Sequence, residues 1–282
     1  MMNFDFAIIG GDRRTSCMAE VFAQRGFRVL CYGIVDTPNH PHIFYSRSLK
    51  ETINSAPTLI FGIPFEKNHR VFFDAPMPEV SLAELQRLLR KKQKLYAGMI
   101  PEQFRTLCED REIGCYDFMK EETISILNAV ATAEGAIAEA IIHQNTQLHH
   151  SKALIVGYGR CGKVLADKLK GLSTLVTVCS NSLEELALAR SLGFKTLNLN
   201  HLFKEAANYE YFFNTAPVRI FTAPIIELIK SDSIIIDIAS NQVGVDYEAC
   251  KKLNRNAYFC PGLPGKYACK TCASLLADYI LP

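Results

Sequence analysis

Residues 154–165, LIVGYGRCGKVL, constrain this chain more than any other stretch. The β-branched and aliphatic run at 152–156 reads as a buried parallel strand. Gly157, Gly159 and Gly162 follow at once, and residues 161–169 carry apolar side chains at helical spacing. Strand, G-x-G-x-x-G and helix in that order are the context in which this glycine spacing signals a dinucleotide site. Gly157 permits the tight turn, Gly159 lets the backbone approach a pyrophosphate, and Gly162 lets helix and strand pack closely. The N–H groups at the helix start then face the phosphates, at the positive end of the helix dipole. Gly157, Tyr158, Gly159, Arg160, Cys161 and Gly162 are therefore the expected cofactor-binding loop. The alternative is a tight βα turn with no ligand.

The next strand, 175–179, refines the cofactor. An NAD site usually places an acidic residue about 20 positions on, to hold the ribose 2′-hydroxyl. Here Ser180, Asn181 and Ser182 follow the strand, with no acid among them. Nothing in those three positions repels a 2′-phosphate, and all three can hydrogen-bond to one. NADP is the expected cofactor, with NAD as the alternative because no Arg accompanies them.

A length of 282 residues suggests about two domains, each with its own core. The formal charge of +2 argues against nucleic acid, and the basic cluster Arg90, Lys91 and Lys92 ends a predicted helix, where cations suit the dipole. No run approaches the roughly 18 apolar residues of a membrane span, and the first ten residues lack a signal-peptide pattern, so a cytoplasmic protein without a membrane partner is expected. Of the ten cysteines, Cys31, Cys179 and Cys260 fall in predicted strands, where reduced cysteine packs as a small apolar residue. Cys269 and Cys272 form one C-x-x-C pair with no second pair at zinc spacing, which reads as helix-start packing, and no metal site is expected.

The chain opens with a strand at 4–9, a loop Gly10-Gly11-Asp12-Arg13-Arg14, and a helix at 16–25 that Gly26 ends. Strands at 28–32, 58–61, 94–97 and 114–116 alternate with helices at 49–55, 101–110 and one that Ser81 and Glu84 start as a capping box. This first domain, 1–120, has a glycine pair without the full fingerprint and reads as a Rossmann-like substrate domain. Residues 121–148 contain a long Ala-rich linking helix, in which Gly135 marks close packing or an approaching ligand. Thr132 and Glu134 lie just before that position. The second domain, 149–268, continues with strands at 196–199, 210–214, 233–238 and 257–260. A final helix, 269–282, returns to the first domain. Alternating strands and helices imply α/β architecture: two Rossmann-like, doubly wound parallel-sheet domains joined by the linking helix and the returning C-terminal helix. Open α/β sheets bind ligands beyond the carboxyl ends of their strands. Thr215, Ala216 and Pro217, then Ala239 and Ser240, then Leu263 and Pro264 lie on that edge and complete the expected cofactor site.

Several of these stretches together resemble the family of dipicolinate synthase A subunits. They are Gly10-Gly11-Asp12-x-Arg14, Thr132-Ala133-Glu134-Gly135, the glycine fingerprint, Asn214-Thr215-x-Pro217, Asp237-Ile238-Ala239-Ser240, and Pro261-Gly262-Leu263-Pro264-Gly265 with Lys270-Thr271 downstream. The resemblance implies a two-domain dehydrogenase that oxidises a cyclic, partly reduced pyridine-2,6-dicarboxylate to dipicolinate with NAD(P)+ during sporulation. It also implies a partner, the flavoprotein-like B subunit of dipicolinate synthase. The chain departs from the family at Asn241-Gln242-Val243, where an Arg-Pro pair is common.

A dicarboxylate substrate calls for cationic clamps, and the planar fork of Arg bonds a carboxylate in two places. Arg14 is the first candidate with Arg13 beside it, Thr132 is a further substrate contact, and Lys270 is a second cation placed among the catalytic groups. Aromatisation also removes a ring proton, for which Glu134 is the candidate base ahead of His149 and His150. A cleft between the domains would hold substrate and cofactor together. Two other readings stay open: a nucleotide-binding scaffold whose partner carries the chemistry, and a methyltransferase with S-adenosylmethionine on its glycine turn. A symmetric homodimer is the default assembly.

Overall fold

The computed structural model describes residues 4–240 and 242–281. The chain divides into two compact units, Met1–Ser125 with Pro264–Pro282, and Ile126–Leu263. Each is built on one six-stranded parallel sheet.

The first unit contains β1 (Phe6–Ile9), α1 (Arg13–Gln24), β2 (Val29–Tyr32), β3 (Ile43–Tyr45), α2 (Leu49–Ser55) and β4 (Thr58–Phe61). A short antiparallel hairpin, β5 (Glu66–Lys67) and β6 (Arg70–Val71), leads to α3 (Leu82–Leu88), β7 (Lys94–Ala97), α4 (Glu102–Asp110) and β8 (Gly114–Asp117). The sheet order β3-β2-β1-β4-β7-β8 reverses direction between β1 and β4. Phe6–Ile9, FAII, is buried at every position, as a strand covered by helices on both faces must be.

α1 starts three residues before the sequence pattern places it. Asp12 caps it, its carboxylate accepting from the Arg14 N–H at 3.0 Å, so Arg13 and Arg14 are helical and not loop residues. The helix ends as expected: Gly26, at φ +89°, donates to the Ala23 carbonyl, and Phe27 donates to the Phe22 carbonyl. Ser81 caps α3 by accepting from the Glu84 N–H at 3.1 Å. β3 and the β5–β6 hairpin are too short to show a period of two and are absent from the sequence reading.

The linking helix α5 (Glu122–His143) opens the second sheet system, followed by β9 (Lys152–Val156), α6 (Arg160–Gly171), β10 (Leu175–Ser180), α7 (Leu183–Ser191) and β11 (Lys195–Asn198). Next come α8 (Leu202–Glu205), β12 (Tyr211–Asn214), α9 (Ala223–Leu228), β13 (Ile234–Asp237), α10 (Tyr247–Lys252), β14 (Asn256–Phe259) and α11 (Leu263–Tyr267). The order β11-β10-β9-β12-β13-β14 repeats that of the first sheet. Both sheets thus have the 3-2-1-4-5-6 order of a Rossmann fold. α11 takes up Leu263–Tyr267, in the stretch between the last strand and the final helix that shows no helical pattern in the sequence.

α12 (Cys269–Ile280) belongs to the first unit, where Ala273, Leu276, Ala277 and Ile280 share a core with Met18, Ala19 and Phe22 of α1. α5 is long and apolar enough, by length and composition, to cross a membrane, which revises the expectation that no run comes near that length. More than half of its most apolar stretch is buried, and Ala133, Ala136, Ile137 and Ala140 pack in the second unit's core with Leu165 and Ala166 of α6.

Candidate functional site

In the second unit, β9 is the strand from which the sheet extends both ways, so the loop after it stands at the topological switch point. Gly157 turns the chain at φ +92°, a conformation in which a side chain is strained. A Cβ on Gly157 would meet Thr215 Oγ1 at 2.5 Å. A Cβ on Gly162 would fall on the Gly157 carbonyl oxygen, with the carbonyl carbon at 3.1 Å. A Cβ on Gly159 would meet none of the described residues within 4 Å. The three glycines therefore differ physically. Two are required by the protein's own packing, and the third leaves open space over the N-terminus of α6.

Thr215 closes the other side of the switch point. Its N–H and its hydroxyl both donate to the Val156 carbonyl, at 2.9 and 3.0 Å. Asn214 just before it is fully buried and donates through Nδ2 to Asp237 Oδ1 at 2.8 Å. Asp237, equally buried at the end of β13, also accepts from the Ala239 N–H at 3.2 Å and the Tyr247 hydroxyl at 2.8 Å. Three donors balance a carboxylate that burial alone would penalise severely. Burial, and next the Asp237 carboxylate, push the Tyr247 phenol far up, so it stays a donor. This network fixes the turns at 214–217 and 237–240.

The outer edge holds a carboxylate that residues 180–182 do not show. Ser182 caps α7 by accepting from the Glu185 N–H at 3.2 Å. The Glu185 side chain turns back, and its Oε2 accepts from Ser180 Oγ at 2.6 Å and from the Tyr158 N–H at 3.2 Å. Glu185 thus stands between the end of β10 and the glycine loop.

Of the expected cofactor residues, Gly157, Gly162, Thr215 and Ala216 meet at one point, and Tyr158, Ser180 and Ser182 meet through Glu185. Tyr158 contributes its backbone, since its side chain is buried in the core with Leu263. Gly159, Arg160, Asn181, Pro217 and Ser240 are exposed along this edge, Cys161 is half-buried, and Pro264 is buried at the start of α11. Burial raises the Cys161 thiol, which hydrogen-bonds Thr132 on α5. Asn241, part of the departure from the family pattern, lies outside the described residues; Gln242 and Val243 are exposed.

Thr132 is nearly buried and donates to the Asn128 carbonyl at 3.0 Å, so its hydroxyl is already satisfied within the helix and by Cys161. Glu134 is exposed and pairs with Lys168 Nζ at 2.8 Å. His149 and His150 are exposed and stack on one another. Among the described residues no group of three or more His, Cys, Asp and Glu side chains gathers to hold a metal.

In the first unit the corresponding switch point lies between β1 and β4. There Arg14 is buried, its Nε and Nη2 bonded to the Asp12 carboxylate at 2.7–3.1 Å, and Nη2 also donating to the Ile63 carbonyl at 2.6 Å. A Cβ on Gly265 would meet Asp12 Cγ at 2.7 Å, so the end of the PGLPG stretch packs directly on this pair. Arg13 is exposed and pairs with Asp36 at 3.1 Å. Lys270 is exposed in the first turn of α12.

Two Rossmann-like sheets, one with the G-x-G-x-x-G spacing at its switch point, define an α/β protein of the doubly wound, Rossmann-like class. An L-alanine dehydrogenase shares this fold over 97% of the present chain and 87% of its own, with a TM-score of 0.63 and 15% identity. The dipicolinate synthase A subunit from Bacillus halodurans matches more closely: TM-score 0.84, 23% identity, covering 99% of this chain and 96% of the other. Residues 5–119 match the family described as the N-terminal domain of the dipicolinate synthase A subunit. Over this stretch, most of the first unit, the chain is similar to the dipicolinate synthase A-subunit family. A curated relative, the dipicolinate synthase A subunit of Bacillus subtilis (strain 168), is 29% identical over 161 residues. That match takes in 57% of this chain and 54% of the relative, so it spans about half the length of each.

Proposed function

We propose that the chain is an NAD(P)-dependent dehydrogenase that oxidises a reduced pyridine-2,6-dicarboxylate to dipicolinate. On this proposal it is the A subunit of a cytoplasmic sporulation enzyme, and its partner is the flavoprotein-like B subunit. The observation that carries this reading is the open space at Gly159 over the N-terminus of α6. The packing of Gly157 and Gly162 accounts for their own lack of side chains, whereas no described residue would crowd a side chain at Gly159. A pyrophosphate seated there would meet the N–H groups of the first turn and the positive end of a twelve-residue helix.

The bound nicotinamide supplies a hydride acceptor. The ring of a dihydro substrate loses one hydride and one proton to become aromatic, so the protein must hold the carboxylates and take the proton. Arg13 is the carboxylate ligand on this reading, because its pair with Asp36 is exposed and such pairs exchange at little cost. Arg14 is a positioning residue, its fork already filled by Asp12 and Ile63. Glu134, paired with Lys168, is the proton acceptor, and Lys270 adds a polar contact to the substrate.

Purified chain supplied with dihydrodipicolinate and NAD+ or NADP+, followed by nicotinamide absorbance, tests the proposal. Turnover supports it, and Arg13→Ala is expected to raise KM for the dicarboxylate while leaving nucleotide affinity unchanged. Dinucleotide binding without turnover, whether the chain is alone or paired with the B subunit, would leave the chain a nucleotide-binding scaffold.

A further inference from the structure

We infer that Glu185 is a specificity-determining residue that makes the second unit prefer NAD over NADP. This rests on the reading of the Gly157–Gly162 loop as a dinucleotide site. It reverses the choice of nucleotide that residues 180–182 suggest by themselves.

In an NAD site the acid that holds the ribose hydroxyls stands at the end of the strand following the glycine loop. Here that position is Ser180, the last residue of β10. Its hydroxyl does not face an empty edge, because it donates to Glu185 Oε2 at 2.6 Å. The same oxygen accepts from the N–H of Tyr158, the residue between the first two glycines. The carboxylate is thus delivered to the place of the missing acid from five residues further along, out of the first turn of α7.

Its orientation is fixed. The Glu185 backbone is tied to Ser182 Oγ at 3.2 Å, and Ser180 Oγ, besides donating to Glu185, accepts from the Ser182 N–H at 3.1 Å. Both bonds to the side chain fall on Oε2, so Oε1 accepts none among the described residues. A ribose 2′-hydroxyl can donate to Oε1 without displacing anything. A 2′-phosphate, carrying roughly −1.5 to −2 charges as phosphate monoesters do, meets a carboxylate held in place by two donors. It gains no donor from Glu185 and suffers like-charge repulsion at close range.

The experiment is a fluorescence titration of the purified full chain with NADH, NADPH and 2′-deoxy-NADH, repeated on Glu185→Gln. The parent is expected to bind NADH at least about tenfold more tightly than NADPH, a difference of about 1.4 kcal/mol. It is also expected to bind 2′-deoxy-NADH more weakly than NADH. In Glu185→Gln the NADH preference should shrink to less than about threefold, mostly through a gain for NADPH. The parent measurements stand even if the variant does not fold. Equal affinities or an NADPH preference in the parent would overturn the inference, as would an undiminished NADH preference in folded Glu185→Gln, and either result leaves the dinucleotide site intact. Binding of none of the three overturns the dinucleotide reading itself.

Discussion

Replacing Gly159 and Gly162 separately by alanine should divide binding from folding. At Gly159 the added methyl meets no atom of the described residues within 4 Å, and the residue, at φ −73°, is the N-cap of α6 without a side-chain bond. Alanine is the poorer N-cap by up to about 1 kcal/mol. Removing a glycine from the unfolded chain returns about 0.4–1 kcal/mol. The two nearly cancel, so Gly159→Ala should leave stability within about 0.5 kcal/mol of the parent. At Gly162 the methyl lands on the Gly157 carbonyl, a backbone group that cannot rotate aside. The gain in helix propensity is about 1 kcal/mol, while overpacking costs typically 1–3 kcal/mol and more against a rigid neighbour. We expect a net loss of about 2 kcal/mol, a fall in Tm of roughly 4 °C or more for a chain of this size. Thermal unfolding by circular dichroism, paired with NADH titration, reads both quantities. Gly159→Ala should melt with the parent and lose at least about tenfold in affinity, because the methyl occupies the place of the pyrophosphate. A Gly159→Ala protein that binds NADH as tightly as the parent would refute the reasoning.

Three further outcomes follow from the buried polar groups. Asp12→Ala removes the cap of α1 and leaves buried Arg14 without its carboxylate, which should cost about 3–5 kcal/mol in urea unfolding; a loss under about 1 kcal/mol would show that the pair is solvated. Tyr247→Phe deletes one of the three donors to fully buried Asp237 and should cost about 1.5–3 kcal/mol by the same assay, and no change would mean water replaces the hydroxyl. Burial pushes the Cys31 and Cys179 thiols up to about 12. An unfolded thiol ionises near about 8.5, so the folded state holds its protons more firmly, and this contribution is complete below about pH 8 and is lost as pH rises from there towards about 12. The Cys31→Val, Cys179→Val double variant should therefore lose less Tm than the parent between about pH 8 and pH 10, and parallel losses would remove the thiols from the account.

The sequence made the two sheets legible because their strands are buried on both faces. Phe6–Ile9 is apolar throughout, Thr58–Phe61 and Ile234–Asp237 are apolar but for Thr58 and Asp237 at their ends, and the runs alternate with amphipathic segments long enough to show a helical period. Strands of two or three residues carry no such period, which hides β3 and the β5–β6 hairpin. α1 begins before its apolar pattern does because Arg13 and Arg14 look like loop residues; only the Asp12 cap, and the carboxylate that accompanies Arg14 into the interior, make them helical. The C-terminal helix is legible for the same reason as the strands, its apolar face being matched by that of α1.

The carboxylate at the outer edge shows why the site was less legible than the fold. Spacing rules assume that a side chain acts from the place where the chain passes, and by that rule residues 180–182 are uncharged. Glu185 breaks the assumption because a helix begins in between. Ser182 caps α7, and a residue three positions after a cap has its side chain directed back over the helix start. In a capping box that side chain closes on the cap's own N–H. Here Ser180 Oγ accepts the Ser182 N–H, which removes that partner and leaves the Glu185 carboxylate to reach on to Ser180 and Tyr158. The signal was present as the pattern Ser182-x-x-Glu185, of the same kind that correctly starts α3 at Ser81. Taken as a direction for the side chain as well as a helix start, it places a negative charge beside the glycine loop, and that charge decides which nucleotide the loop can accept.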